Sequence, residues 1–243
     1  ASLAGIIQHF VLLEGGKTDP LTKKTLIFPR YQQLDVVRKL LDHTANHGVG
    51  QSYLIQHSAG SGKSNSITWA AYQLIESYPA RADLPGARAL DAPLFDSVIV
   101  VTDRRLLDKQ LRDNISDFSE VKNIVAPAMR SADLKTALEN GKKIIITTIQ
   151  KFGTEHLATI SGQSSKNFAV IIDEAHSSQS GKAAQAMSDA LTREAGSSDD
   201  IEDMILAHQA ARGPQKNISF MAFTATPRNV TLERFGRVGE DGH

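Results

Sequence analysis

Apolar positions fall into two rhythms along this chain. Five short runs are nearly continuous in apolar residues: 52–56, 97–102, 142–148, 168–172 and 217–223. Runs of that length, bounded by polar residues, predict strands, and the most apolar of them predict strands buried on both faces of a sheet. A weaker run, Asn123-Ile124-Val125-Ala126, is a candidate sixth strand. Between these runs apolar residues recur every three or four positions, which is the helical period. That spacing predicts helices at 2–13 (Leu3, Ile6, Ile7, Phe10, Leu13), 34–41 (Leu34, Val37, Leu40, Leu41), 64–78 (Ile67, Ala70, Ala71, Leu74, Ile75, Tyr78) and 132–140, with two more at 183–190 and 201–211. Gly15-Gly16 is expected to stop the first helix and 15–25 to form a polar turn region, while 79–96, with Pro79, Pro85 and Pro93, carries no element of its own. Strand and helix alternate with modest loops. The expected fold is α/β, a mainly parallel open sheet with helices on both faces.

Composition narrows the setting. A chain of 243 residues holds one large α/β domain or two small ones. Its 27 Lys and Arg balance 27 Asp and Glu, so any surface for a polyanion has to be a local patch. With no cysteine there is neither a disulfide framework nor a thiolate metal site. No apolar run approaches the roughly 20 residues of a membrane span, and the first ten residues lack a secretory pattern. The cytoplasm is the expected compartment, with no membrane partner. The chain opens on Ala1 and stops soon after its last motif, so it is expected to be a piece of a longer protein.

The chemistry concentrates at a few points. Residues 57–64 read His-Ser-Ala-Gly-Ser-Gly-Lys-Ser, between an expected strand and an expected helix. A strand, a Gly-rich loop and a helix opening on Lys-Ser cradle a nucleoside triphosphate: backbone N–H groups of Gly60, Ser61 and Gly62 face the phosphates, Lys63 reaches the β- and γ-phosphates, and the Ser64 hydroxyl ligates Mg²⁺. His57 stands where a Gly is usual. The strand at 168–172 leads into Asp173-Glu174-Ala175-His176. There Asp173 is expected to hold the Mg²⁺ and Glu174 to orient and partly deprotonate the attacking water. His176 lies too far along to be the base, and no second His stands at ligand spacing, so its expected role is to couple the site to Thr224 and Thr226 of Thr-Ala-Thr-Pro. Upstream, Phe28-Pro29-Arg30-Tyr31-Gln32-Gln33 opens a helix, and Gln33, with Gln32 second, is the candidate reader of an adenine edge beside Arg30. Arg104, Arg105, Thr147, Thr148 and Gln150, near strand ends, are candidate contacts to a nucleic-acid backbone.

The order Arg-Tyr-Gln-Gln, Gly-Ser-Gly-Lys-Ser, Thr-Asp-Arg-Arg, Thr-Thr-Ile-Gln-Lys-Phe, Asp-Glu-Ala-His and Thr-Ala-Thr-Pro is similar to the first RecA-like, P-loop domain of superfamily 2 helicases and translocases. In finer wording it resembles the motor subunit of type I restriction enzymes: Asp103-Arg104 with Leu107 and Gln110, then Ser178-Gln179 and Gly181. Ser177 departs from the Arg usual there, and any role of that Arg is not carried over. The resemblance implies the ATP-binding and hydrolysing half of a motor that translocates double-stranded DNA before cleavage, working with modification and specificity subunits and using ATP and Mg²⁺. It further implies a helix and linker at 1–27, a first RecA-like ATPase domain at 28–230, and at 231–243 the start of a connection to a second such domain carrying an Arg finger. A nuclease domain would precede residue 1; Glu120-Val121-Lys122 fits a nuclease motif by its letters only. Two other readings stay open: another superfamily 2 helicase serving repair or remodelling, and a nucleotide-binding adaptor, against which the water-activating Glu174 speaks.

Overall fold

A computed structural model describes residues 3–14, 20–58, 60–102, 125–128, 131–148, 165–173 and 216–225. All five expected strands are present. They are β3 (Ser52–Gln56), β4 (Ser97–Thr102), β6 (Ile144–Thr148), β7 (Phe168–Asp173) and β8 (Ile218–Thr224), and the sixth candidate forms β5 (Val125–Pro127). Together they make one sheet in the order β3-β8-β7-β4-β6-β5, and every pairing is parallel. Strand β7 pairs with β8 through Asp173 opposite Phe223, and β8 pairs with β3 through Thr224 opposite Gln56. The carboxyl ends of β3, β8 and β7 therefore lie side by side.

The apolar runs divide between two cores because successive side chains in a strand point to opposite faces. On one face Val98, Val100, Ile144, Ile146, Ala169, Ile171, Met221 and Phe223 pack with Val37 and Leu40 of α2 (Tyr31–His47) and with Ile67, Trp69 and Leu74 of α3 (Lys63–Leu74). On the other face Ile99, Val101, Ile145, Val170, Ile172 and Phe220 pack with Leu134, Ala137 and Leu138 of α4 (Ser131–Glu139). Helices thus cover both faces. The strands β4, β6, β7 and β8 are buried along their whole length. Strand β3 differs from these four. It occupies the sheet's edge among the described strands, and only Ile55 of its residues is fully buried.

Element ends moved where tertiary contacts overrode local pattern. The first helix, α1, covers only Leu3–Phe10, and the chain then forms β1 (Leu12–Glu14), antiparallel to β2 (Thr25–Ile27). A hairpin partner 15 residues away offers the backbone hydrogen bonds that continuing the helix would have made (Leu12 opposite Ile27). Phe10 anchors α1 by packing its ring 5.7 Å from that of Trp69. Helix α2 runs beyond residue 41 to His47, and α3 ends at Leu74 rather than Tyr78. The stretch 79–96 has no helix or strand, as expected, yet it is packed: Leu84, Leu94 and Phe95 are buried, and the Asn167 carboxamide donates to the carbonyls of Gly86 (2.7 Å) and Leu94 (2.8 Å). Arg88 grips both oxygens of Asp96 through its two terminal guanidinium nitrogens, and one of those oxygens, Oδ2, also accepts the Asn167 N–H at 2.7 Å. Among the described residues no helix is long and apolar enough to cross a membrane.

Candidate nucleotide site

Strand β3 feeds a loop that closes on Gly62, the N-cap of α3. Gly60 and Gly62 hold φ of 72° and 81°, the left-handed region that glycine adopts without a Cβ penalty. Because the N-cap is glycine, it supplies no side-chain cap, and the first N–H groups of α3 are not consumed by one. Lys63, the first residue of α3, extends its ammonium to within 3.2 Å of Asp173 Oδ1 at the end of β7. The carboxylate is only 2% exposed, so this cation compensates a charge that burial would otherwise make costly. The strand between them, β8, ends at Thr224, buried, whose carbonyl accepts the His57 N–H at 2.8 Å. Ser64 follows on the first turn of α3, half-buried.

Helix α2 holds the loop from its other side. Gln33 is 3% exposed, and its Nε2 donates to the carbonyls of Ser61 (3.1 Å) and Gly62 (2.9 Å) while Oε1 accepts the Arg30 N–H (2.8 Å). Both amide hydrogens are therefore committed to the loop, and in this arrangement Gln33 has no donor for an adenine edge. Gln32, the second candidate, instead lines a cavity of about 400 Å³ with Arg30, Val36, Gln56, His57, Ser58, Gly60 and Ser61. His57 is 5% exposed, with Nδ1 bonded to Ser61 Oγ and Nε2 3.0 Å from Ser66 Oγ. Burial, helped by the nearby Lys63 charge, holds its pKa below the ordinary imidazole value. In the sequence His57 stood out only as a departure from Gly; the hydroxyls four and nine residues further on were the available signal.

The remaining expected residues divide in two. Thr147 and Thr148 end β6 with side chains 1% and 3% exposed. Strand β6 is an interior strand of the sheet, between β4 and β5. Glu174, His176, Thr226, Arg104, Arg105 and Gln150 lie outside the described residues.

The donor set fits a magnesium–nucleotide pair. A buried carboxylate that already holds a cation, a neighbouring hydroxyl and a Gly-rich helix start offer hard oxygens to Mg²⁺ and N–H groups to phosphate. Residues 32–196 match the family model of the SWI2/SNF2 ATPase, about two thirds of the chain. Two proteins of Methanocaldococcus jannaschii that carry the name of type I restriction enzyme endonuclease subunit are also similar. MjaIXP is 27% identical over 240 residues, covering 93% of this chain and 19% of its own, and MjaVIIIP is 25% identical over 188 residues, covering 72% and 18%. The chain thus spans about a fifth of the length of these curated relatives. Among solved structures, the Pyrococcus furiosus Hef helicase domain matches with a TM-score of 0.50 at 15% identity, over 86% of this chain and 36% of that one, a likeness of fold. With a RecA-like sheet, a phosphate loop and an acid meeting its lysine, and a family match over most of its length, the chain belongs to the SWI2/SNF2 ATPase family.

Proposed function

We propose that this chain is the ATP-binding and hydrolysing half of a DNA translocase motor, of the kind found in the restriction subunit of a type I restriction-modification enzyme. The observation that carries the proposal is the meeting of Lys63 and Asp173, 3.2 Å apart at one sheet edge although 110 positions apart in sequence. In this reading Gly60, Ser61 and Gly62 present N–H groups to the phosphates, and Lys63 turns from Asp173 toward the β- and γ-phosphates. Ser64 and Asp173 would hold Mg²⁺, which when bound supplies positive charge to the phosphate oxygens. Glu174 orients the attacking water and accepts its proton. The cavity beside α2 receives the nucleoside, with Gln32 and Arg30 facing it while Gln33 keeps the loop in place. His176, Thr224 and Thr226 relay the state of the phosphates, and Arg104, Arg105 and Gln150 face DNA. Modification and specificity subunits are the proposed partners.

The test uses the full protein. Lys63→Ala and Asp173→Ala should each abolish DNA-stimulated ATP hydrolysis, and the unaltered protein should displace a third strand from duplex DNA without separating the duplex. Hydrolysis retained in either variant removes the ATPase assignment. Efficient strand separation would instead place the motor among unwinding helicases.

A further inference from the structure

His57 takes the first position of the phosphate loop and is buried, at 5% exposure. Its contacts leave one arrangement of protons. Ser61 Oγ bonds the Ser58 carbonyl, which can only accept, so the single Ser61 hydroxyl proton points there. Ser61 Oγ must then accept from the ring, and Nδ1 carries the imidazole proton. A neutral ring protonated on Nδ1 is an acceptor at Nε2, which takes the Ser66 hydroxyl proton at 3.0 Å. A directed chain results: Ser66 to His57, His57 to Ser61, Ser61 to Ser58. It ties the second turn of α3 to the tip of the loop, while the His57 backbone N–H holds the end of β8 through the Thr224 carbonyl.

We propose that His57 is a positioning residue of the nucleotide site, acting as a neutral Nδ1–H imidazole that sets the loop through Ser61 and registers it against Ser66 on α3. The inference deepens the nucleotide-site reading above and rests on it for its binding readout. A ring protonated at both nitrogens would break the chain, because Ser66 would face a donor where it needs an acceptor. The charged groups near the ring are Lys63 from α3, with Asp173 from β7 paired to it, and Arg30 at the start of α2 across the cavity. The enclosure of the ring and the nearby Lys63 charge both favour the neutral form.

Side-chain chemistry separates this role from simple space filling. An asparagine places its amide nitrogen on Cγ, where Nδ1 sits, and keeps the bond to Ser61. A glutamine reaches one atom further, toward Ser66, and loses the bond to Ser61. Phenylalanine keeps the volume and neither bond. Leaving one buried hydroxyl without its partner typically weakens a site by about tenfold. Binding of a fluorescent Mg²⁺–ADP analogue to the full protein should therefore weaken by about tenfold for His57→Asn, which keeps the bond to Ser61 but leaves the buried Ser66 hydroxyl without its acceptor, and by more for His57→Phe, which loses both. It should weaken by about tenfold or more for His57→Gln and Ser61→Ala, with Ser61→Ala adding little to His57→Gln. Phenylalanine binding as tightly as histidine would overturn the proposal. A second measurement needs no variant and no nucleotide: in protein labelled with ¹⁵N-histidine, the His57 ring should show the neutral Nδ1–H tautomer at pH 7. An Nε2–H tautomer, or a charged ring, at that pH refutes the inference. Should the unaltered protein fail to bind the analogue, the nucleotide-site reading falls, and the tautomer spectrum alone decides the role of His57.

Discussion

Gly62→Ala adds one methyl group at the point where α2 meets the phosphate loop, and its cost can be assembled from two parts. The φ of 81° becomes a left-handed conformation with a Cβ, at about 1–2 kcal/mol. The new Cβ would lie 2.3 Å from Gln33 Nε2, so the amide must withdraw and lose its bonds to the carbonyls of Ser61 and Gly62. Two such bonds are worth about 1–3 kcal/mol net. The total is about 2–5 kcal/mol. Gly60→Ala supplies the internal control: φ is 72°, but nothing lies within 4 Å of its Cβ, so only the backbone part of about 1–2 kcal/mol applies. Urea unfolding with an unchanged slope should place Gly62→Ala about 1–3 kcal/mol below Gly60→Ala. The excess should vanish in a Gln33→Ala background, where a double-mutant cycle exposes the shared contact. Equal costs for the two glycines, or an excess that survives removal of Gln33, would refute the picture of Gln33 as the loop's support.

Three more outcomes follow from other parts of the molecule. Lys63→Met leaves the Asp173 carboxylate buried without its cation and should cost about 3–5 kcal/mol; Lys63→Met with Asp173→Asn should recover much of that stability in urea melts while hydrolysis stays absent. For Asp96, burial pushes the carboxyl pKa up, but the Arg88 hydrogen bond, the Asn167 N–H and the charges of Arg88 and Lys143 together bring it below its ordinary value. That contribution is present above the ordinary carboxylate pKa and is lost as pH falls through the lower folded-state value. Asp96→Asn should therefore flatten the acid limb of stability against pH, and an unchanged acid limb would contradict the assignment. Phe10→Ala removes the ring packed on Trp69 and should cost about 3–5 kcal/mol. Since Trp69 is the chain's one tryptophan, a red shift of its emission reports the undocking of α1 directly, and unshifted emission would show that α1 is held by something else.

The apolar pattern of the chain was sufficient for the architecture. Runs such as 97–102 and 168–172 are too apolar for any place but the interior of a sheet, and helical spacing between them forces parallel crossovers. The loop was legible for the same reason: Gly60 and Gly62 mark backbone that side chains cannot follow, and Lys63-Ser64 opens a helix. Local pattern fails where the partner is remote. Nothing near residue 11 says that β1 will trade helical bonds for a partner at 25–27, and nothing in 52–56 distinguishes an edge strand from a central one. A glutamine at the start of α2 is chemically able to read a base; the close approach of that helix to Gly62 turned its amide onto the loop instead. Threonines ending a strand could be exposed or covered, and the position of β6 buried them. What residues could do was written in their side chains, whereas which neighbour each one meets depended on strand order and helix docking, because hydrogen bonds and charges act over a few ångströms of space and take no account of distance along the chain.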